Sequence, residues 1–304
     1  MIDVFVNSDF KFMDHRKYAA IVSLVLIVLS LVSIAVRGFN FGVDFTGGTI
    51  VEVGYPEAVD LEPIRAQLQG GESISFDVQH FGTPHDVLIR FGPGEVINQA
   101  ELSNRVIASL RSINAELQIR RVEFVGPQVG EELRENGGLA VLYALFGILI
   151  YVAFRFEYRF ALGSVIALIH DVILTLGFFS LVGLEFDLSV LAAVLAVIGY
   201  SLNDTIVIFD RIRENFFATK RPRTETVINH AVNQTLGRTV ITGVTTLLVL
   251  LALLIFGGAA IQSFTVAMIA GIIFGTYSSI YTAGSSLLLF KLRPEDMIVE
   301  KEAQ

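Results

Sequence analysis

The chain has 304 residues, 53% of them hydrophobic, and a mean hydropathy of +0.64. This composition is too apolar for an ordinary soluble domain and indicates a polytopic membrane protein. The absence of cysteine excludes disulfides and cysteine-ligated metals, and the net charge of −8 has no functional meaning until it is divided between the two sides of a membrane.

Motifs for the commonest catalytic chemistries are missing from the sequence. The five histidines form no HExxH pair, and no GxxxxGK[ST] run marks an ATP-binding P-loop. No nucleophile, base and orienting group stand together as an active site would need. We therefore predict that the chain is not an enzyme, holds no metal or organic cofactor, and has no nucleic-acid partner.

Six apolar segments are long enough to cross a bilayer, whose core of about 30 Å needs about 20 helical residues. They are 18–36, 138–154, 160–182, 188–209, 239–260 and 264–290. The short gap between the last two predicts an antiparallel hairpin. The first segment is followed by Arg37, Gly38 and Phe39 rather than by a small-residue cleavage site, so we interpret it as a retained signal-anchor.

Basic residues in the short loops predict the topology, because cytoplasmic loops carry an excess of Lys and Arg. On one side of the membrane they are Lys11, Arg16, Lys17, Arg155, Arg159, Arg211, Arg213, Lys220, Arg221, Arg223, Arg238, Lys291, Arg293 and Lys301. The loops at 183–187 and 261–263, on the other side, carry none. We therefore predict cytoplasmic termini at 1–17 and 291–304, transmembrane helices at 18–36 and within 138–290, and one periplasmic domain at 37–137.

The inserted domain has the pattern of a ferredoxin-like α+β fold. Val51, Val53 and Tyr55 share one face of a strand at 49–55, and a helix at 61–68 follows Asp60 as its N-cap. Strands at 75–81 and 87–91, a helix at 98–114 and a strand at 119–125 complete the order β-α-β-β-α-β. This fold hosts many functions, so it indicates architecture only. The phase of the last strand is ambiguous between its two faces.

The surface of this domain is acidic, with 15 Asp and Glu against 8 Lys and Arg over residues 37–137. Such a surface is most simply a solvated one, and a docking face for basic polypeptide is the alternative. Its first segment, "FNFGVDFTGGT" at 39–49, has no GxGxxG spacing for a phosphate. We interpret this segment as a tight turn that begins the first strand, with Phe39, Phe41 and Phe45 at the membrane interface.

The fourth and fifth spans carry polar groups that are costly in lipid. A charge near the bilayer centre costs about 2.5–3.5 kcal/mol on insertion scales, so such residues tend to face the bundle interior. Asp204 lies in the fourth span beside Asn203 and three residues after Ser201, and Arg238 begins the fifth span. If these two spans are neighbours, Asp204 and Arg238 would meet.

Three hydroxyls share the helical face of Arg238, namely Thr242, Thr245 and Thr246. Together with the carboxylate and the guanidinium they would line one interior path. Two interpretations stay open: a proton or ion path, and a structural ion pair that fixes helix packing.

A second acidic residue, Asp171, lies midway along the third span beside His170. For Asp171 a relay role and a packing hydrogen bond compete evenly, and His170 is either its partner or a space-filling residue.

The sixth span has a stripe of small residues that permits close approach of another helix, within the chain or in another subunit. Its members are Ala267, Gly271, Gly275, Ser279 and Ala283.

Three segments resemble the signatures of the SecF family, which supplies the smaller membrane subunit of the bacterial SecD–SecF protein-translocation accessory complex. They are "FNFGVDFTGGT" at 39–49, "GYSLNDTIVIFDRIREN" at 199–215 and "NQTLGRTVITG" at 233–243. The resemblance covers nearly the whole chain, including the six spans and the single outer domain after the first. The family itself resembles half of a resistance-nodulation-division transporter.

The resemblance implies a function in the bacterial inner membrane. It implies support of late preprotein export through the SecYEG channel, driven by the proton motive force, with Asp204 as the essential membrane carboxylate and Arg238 as its basic partner. The implied partners are SecD, the SecYEG translocon, further small Sec accessory membrane proteins, the translocating unfolded polypeptide and the lipid bilayer. Because SecD is a separate chain, a complete proton path is expected to need both subunits.

Two other classes of function remain open. Half of a proton-driven small-molecule or lipid exporter would usually carry a larger outer portion than about 100 residues. A scaffold subunit would tolerate replacement of Asp204 and Arg238 by a neutral, size-matched pair.

Overall fold

The computed structural model describes residues 8–69, 76–92, 99–113, 116–218 and 223–293. Within these residues, six helical segments are long and apolar enough to cross a membrane, and a small α+β domain is inserted after the first. This confirms the predicted fold class. Of the predicted termini at 1–17 and 291–304, residues 1–7 and 294–304 lie outside the described residues.

The six segments alternate in direction, so their ends gather at two levels. They are α1 (Arg16–Arg37), α5 (Pro127–Arg155), α6 (Tyr158–Val182), α7 (Leu188–Ala218), α8 (Thr224–Phe256) and a last segment made of α9 (Gln262–Ser278), a π-helical turn (Ser279–Ala283) and α10 (Gly284–Leu289). A 3-10 turn at Phe12–His15 precedes α1, and another at Ala259–Ile261 precedes α9.

At three of the predicted span boundaries the helix continues beyond the apolar segment. Helix α5 begins at Pro127 rather than at 138, so the predicted domain boundary at Gly137 lies inside a helix. Helix α7 continues to Ala218, beyond the predicted end at 209, and α8 begins at Thr224 instead of at 239. Hydropathy marks only the apolar part of a helix, whereas these helices continue into polar segments whose backbone hydrogen bonds remain satisfied outside the lipid.

The inserted domain contains β2 (Gly48–Gly54), α3 (Leu61–Gln69), β3 (Phe76–Phe81), β4 (Thr83–Phe91), α4 (Gln99–Ile113) and β5 (Gln118–Val125). The four strands form an antiparallel sheet in the order β3-β4-β2-β5, which is the ferredoxin-like topology. The predicted element order is therefore confirmed, and Asp60 caps α3 through its Oδ1, which accepts from the backbone NH of Glu62 at 3.2 Å.

The two helices of this domain cover one face of the sheet. Val51, Val53 and Tyr55 pack there together with residues of α3 and α4, as the alternation predicts. The ambiguous phase of β5 has a structural cause: the register against β2 shifts between Glu52 and Val53, so that an extra residue, Arg120, interrupts the alternation.

Two short elements connect the domain to the membrane helices, and the sequence did not predict them as structure. Strand β1 (Asn40–Phe41) pairs in parallel with β6 (Glu185–Phe186), which lies between α6 and α7. Helix α2 (Val43–Thr46) follows β1, and the tight turn after it is confirmed by Gly47 and Gly48, which have φ of +69° and +131°. A Cβ on Gly48 would lie 2.3 Å from the carbonyl oxygen of Phe91, so no other residue fits there.

The phenylalanines of this segment pack on protein rather than only at a membrane interface. Rings of Phe39, Phe41 and Phe45 surround Phe186, with centroids 5.4–6.0 Å apart. Phe179 of α6 completes the cluster. The aromatic residues thus hold the inserted domain against the loop between α6 and α7.

Helix α7 lies at the centre of the bundle and contacts α6, α8 and α9. The small-residue stripe of the last span faces α7, so the helix that approaches it lies within the same chain. A Cβ on Gly271 would lie 2.2 Å from Cγ2 of Val197, and a Cβ on Gly275 would lie 3.0 Å from Cβ of Ser201. Because a Cβ has no room at these positions, α7 and α9 approach each other closely.

Candidate functional site

The carboxylate of Asp204 is buried inside the bundle on the central helix. Its side chain lies on the face of α7 that also buries Ser201, Thr205 and Ile208, and the residue is 2% exposed. Its Oδ2 is shielded and has no hydrogen-bond partner among the described residues. An unpartnered carboxylate oxygen in such surroundings is costly, and it is therefore a candidate for binding a proton.

Arg238 lies on α8, which packs beside α7. The two side chains are near enough for an electrostatic interaction. They do not form an ion pair, however, and within the described chain Arg238 has neither a hydrogen bond nor an ion pair. The two helices are therefore neighbours, as the expected meeting of Asp204 and Arg238 requires, but their side chains make no direct contact in this conformation.

The hydroxyl groups near Arg238 do not line an enclosed path. Thr245 is exposed, and its Oγ1 donates back to the carbonyl of Ile241 at 2.8 Å. Thr242 and Thr246 are half-buried, and the hydroxyl of Tyr200 lies 3.5 Å from Oγ1 of Thr246. The expected interior path is thus corrected, because α8 lies at the margin of the bundle and turns this face outward.

An open polar face results where α7 and α8 meet. Asn203, predicted as a possible relay or helix-packing group, is exposed one residue away from buried Asp204. Arg238 and Thr245 are exposed on the neighbouring helix. Polar side chains at membrane depth are normally covered by protein or lie beside a water-filled cavity. The face therefore has the character of a contact surface for another membrane subunit.

Asp171 is the centre of a closed hydrogen-bond network where α6, α7 and α9 meet. Its Oδ2 accepts from Oγ of Ser201 at 2.6 Å and from Oγ of Ser278 at 2.7 Å. Nδ1 of His170 lies 3.0 Å from Oδ1. The residue is 0% exposed, and both of its carboxylate oxygens have partners. His170 is thus its local partner, one of the two options left open by the sequence.

The network extends from His170 to α1. Nε2 of His170 lies 3.2 Å from Oγ of Ser23, which lies 3.1 Å from the hydroxyl of Tyr277. That hydroxyl in turn donates to the carbonyl of Ala19 at 2.8 Å. Four helices are therefore joined through one chain of polar contacts.

A second contact joins the last span to α7 next to Asp204. Oγ of Ser279 lies 3.0 Å from Oγ1 of Thr205 and donates to the backbone carbonyl of Ser201 at 3.3 Å. Ser279 begins the π-helical turn, a distortion that is common at functional sites. In the sequence, Ser279 is only a member of the predicted packing stripe. Isolated hydroxyls in spans have no distinctive pattern, so no signal marks Ser278, Thr205, Ser23 or Tyr277.

The helix of Asp204 is also tied to the inserted domain. Oδ2 of Asp44 accepts from the backbone NH of Leu188, the first residue of α7, at 3.0 Å. Arg90 of β4 forms an ion pair with Glu185 of β6, and burial raises the pKa of Glu185 above its ordinary value although Arg90 opposes this. A displacement of α7 would therefore shift the contacts that join this helix and β6 to the inserted domain. Among the described residues no group of His, Asp and Glu is arranged to hold a metal ion.

Comparison with known proteins identifies the family. Residues 105–293 match the model of the protein export membrane protein SecD/SecF C-terminal region, and residues 32–55 match the SecD/SecF GG motif. The chain is 49% identical to the protein translocase subunit SecF of Pseudomonas aeruginosa over 94% of its length and 93% of that protein. Against SecF of Magnetococcus marinus the identity is 52%, covering 95% and 94% of the two chains.

A solved structure agrees with these relatives. The crystal structure of SecDF, a translocon-associated membrane protein from Thermus thermophilus, superimposes with a TM-score of 0.82 at 38% identity. The match covers 95% of this chain but only 39% of the SecDF chain, so this protein spans about two-fifths of that larger one. With its six membrane helices, its inserted domain and these matches, the chain belongs to the SecF family of protein translocase subunits.

Proposed function

We propose that this chain is a subunit of the Sec protein-translocation accessory complex that couples inward proton movement to the late export of preproteins through SecYEG. In this proposal it pairs with SecD in the bacterial inner membrane, with both termini in the cytoplasm and the inserted domain in the periplasm. It is a transport subunit rather than an enzyme, and protons are the only species that it needs in place of a cofactor. Further small Sec membrane proteins and the unfolded polypeptide are its other partners.

The observation that carries the proposal is the state of Asp204. A carboxylate that is 2% exposed, with a shielded oxygen that has no hydrogen-bond partner in the described chain, has no structural function that its surroundings reveal. Protonation would remove the cost of burying its charge. Arg238 is the cation near Asp204, and Arg238 also has no hydrogen bond or ion pair within the described residues.

The mechanism follows from two states of this pair. When Asp204 is ionised, attraction draws Arg238 inward and closes α8 against α7. When Asp204 is protonated, Arg238 is released and α8 turns outward. One charge that crosses about 100 mV supplies about 2.3 kcal/mol. One or two protons therefore shift a two-state equilibrium by a useful amount.

Transmission to the inserted domain has a physical route through α7. The same helix carries Asp204 in its middle and contacts Asp44 at its first residue, and β6 just before it pairs with β1 and Arg90. This route adds to the covalent one through α1 and α5, which flank the domain in sequence. Movement of the domain would hold or release the emerging polypeptide and so prevent its return.

The exposed polar face of α7 and α8 supports SecD as the partner. Asn203, Arg238 and Thr245 are unfavourable against lipid, and a second membrane subunit would cover them and complete the proton path. The share of the SecDF chain that this protein leaves uncovered is large enough to supply such a subunit.

The test compares two aspartates on the same helix. Asp204→Asn, assembled with SecD and SecYEG in proteoliposomes, is expected to abolish the stimulation of preprotein export by the proton gradient while the complex still forms. Asp210→Asn is the matched control, because Asp210 lies further along α7, is 39% exposed and pairs with Arg155 at 3.2 Å. An exposed pair of this kind contributes little, so the control should retain the stimulation.

The outcomes separate proton coupling from a scaffold role. Full gradient-dependent export by Asp204→Asn would end the proton-coupling proposal and favour a scaffold subunit. Loss of export together with loss of complex assembly would also contradict it, since Asp204 would then be needed for structure.

A further inference from the structure

A lateral groove separates α1 from α6 and α10 on the side of the membrane opposite to the inserted domain. Its volume is about 690 Å³, within the range of about 300–1,000 Å³ that is typical of ligand sites. The walls are mainly aliphatic, with Leu24 and Ile27 on α1, Ile169 and Ile173 on α6, and Leu288 on α10. Leu24 is 62% exposed, so the groove opens sideways toward the membrane rather than toward water.

Two cations stand at the end of the groove where α1 begins. Lys17 is exposed and has no ion pair with any other described residue. Arg16 forms an ion pair with Glu225, with 2.8 Å between Nη2 and Oε1, and its Nη1 donates a hydrogen bond to the carbonyl of Met13 at 3.0 Å. The side chain of Arg16 nevertheless remains 35% exposed. The groove therefore combines an apolar interior with a positive mouth at the level of the membrane surface.

We propose that this groove binds an anionic phospholipid. One acyl chain lies between α1 and α6, and the phosphate contacts Lys17 and Arg16. Basic pockets between transmembrane helices recognise anionic headgroups in this manner, whereas a zwitterionic lipid would gain little from the positive mouth. The site lies at α1 and is independent of Asp204, Arg238 and the proposed coupling.

The test uses the absence of tryptophan from the chain. A single tryptophan is introduced as Leu24→Trp, and the full-length protein is reconstituted in bilayers that contain either brominated phosphatidylglycerol or brominated phosphatidylcholine at equal mole fraction. Bromine quenches tryptophan fluorescence only at contact range. We expect markedly stronger quenching by the anionic lipid, which would show its enrichment in the groove.

Two matched controls separate the groove from general attraction to the membrane surface. Val25→Trp lies at almost the same depth, but it points about 100° around α1, away from the groove, and should show no lipid preference. Lys17→Gln in the Leu24→Trp background should lower the preference about fivefold, which corresponds to about 1 kcal/mol for one basic residue. Lys11→Gln removes the same charge from a lysine that does not line the groove and should leave the preference intact.

Each result decides the question. A preference at Leu24→Trp that Lys17→Gln lowers and Lys11→Gln does not would support the site. Equal quenching by both lipids at Leu24→Trp, an equal preference at Val25→Trp, or equal losses in the two lysine variants would overturn it. Absence of quenching by either lipid would also overturn it, because the groove would then be filled by protein.

Discussion

Asp171 and Asp204 are both buried in the centre of the same bundle, but their surroundings differ completely. Asp171 has hydrogen-bond partners on both oxygens, from Ser201, Ser278 and His170. Asp204, on the same helix as Ser201, has a shielded oxygen with no partner in the described chain. A carboxylate in a membrane core is therefore structural when its lone pairs are satisfied, and it is available to exchange protons when they are not.

The largest expected effect comes from removing the satisfied carboxylate. Asp171→Leu leaves the hydroxyls of Ser201 and Ser278 and the ring of His170 without an acceptor. We expect the free energy of unfolding to fall by about 3 kcal/mol, as measured by equilibrium unfolding in mixed micelles. Asp171→Asn keeps one acceptor oxygen and should cost only about 1 kcal/mol. Unchanged stability of Asp171→Leu would show that the network does not hold the helices together.

The next effect tests whether the close approach of α9 to α7 supports that network. In Gly271→Val the new Cβ would lie 2.2 Å from Cγ2 of Val197, so α9 must move away from α7. Overpacking of this kind should cost about 2 kcal/mol in the same unfolding measurement. Gly147→Val on α5 is the control, because nothing lies within 4 Å of its Cβ. Equal losses in both variants would attribute the effect to helix propensity instead of packing.

A smaller effect of opposite sign is expected at the unsatisfied carboxylate. Asp204→Leu removes a buried group that has no partner, so stability should stay the same or rise by about 1 kcal/mol. Thermal unfolding in detergent compares it with Asp171→Leu under the same conditions. Destabilisation as large as that of Asp171→Leu would mean that Asp204 is held by the fold, and the contrast between the two residues would fail.

The smallest effect concerns a third acid, half-buried Glu185, whose partner is the cation Arg90. Because burial raises its pKa, the folded chain binds this proton more tightly than the unfolded chain. Its contribution to stability is therefore complete below its ordinary pKa and is lost as the pH rises through the raised value. The difference in unfolding midpoint between the parent and Glu185→Gln, followed from about pH 4 to about pH 8, should show this decline. A difference that does not vary with pH would show that the attraction of Arg90 cancels the effect of burial on the pKa of Glu185.

Much of the fold follows from local patterns. Apolar length predicts the six spans, and alternation with turn signals predicts the ferredoxin-like order, because both depend on periodicities that each segment carries alone. Hydropathy does not reveal where α5 and α8 begin or where α7 ends, because polar extensions continue the backbone hydrogen bonds there. The pairing of β1 with β6 was missed because two-residue strands far apart in sequence have no detectable period.

The candidate site divides in the same way. Residue type and hydropathy are enough to identify Asp171, Asp204 and Arg238 as costly charges in or beside apolar spans. The packing of the helices was needed to see that both oxygens of Asp171 have partners, that Oδ2 of Asp204 has none in the described chain, and that Arg238 and Asn203 face outward. Hydrogen bonds depend on distances of about 3 Å between groups on different helices, and no single segment encodes those distances.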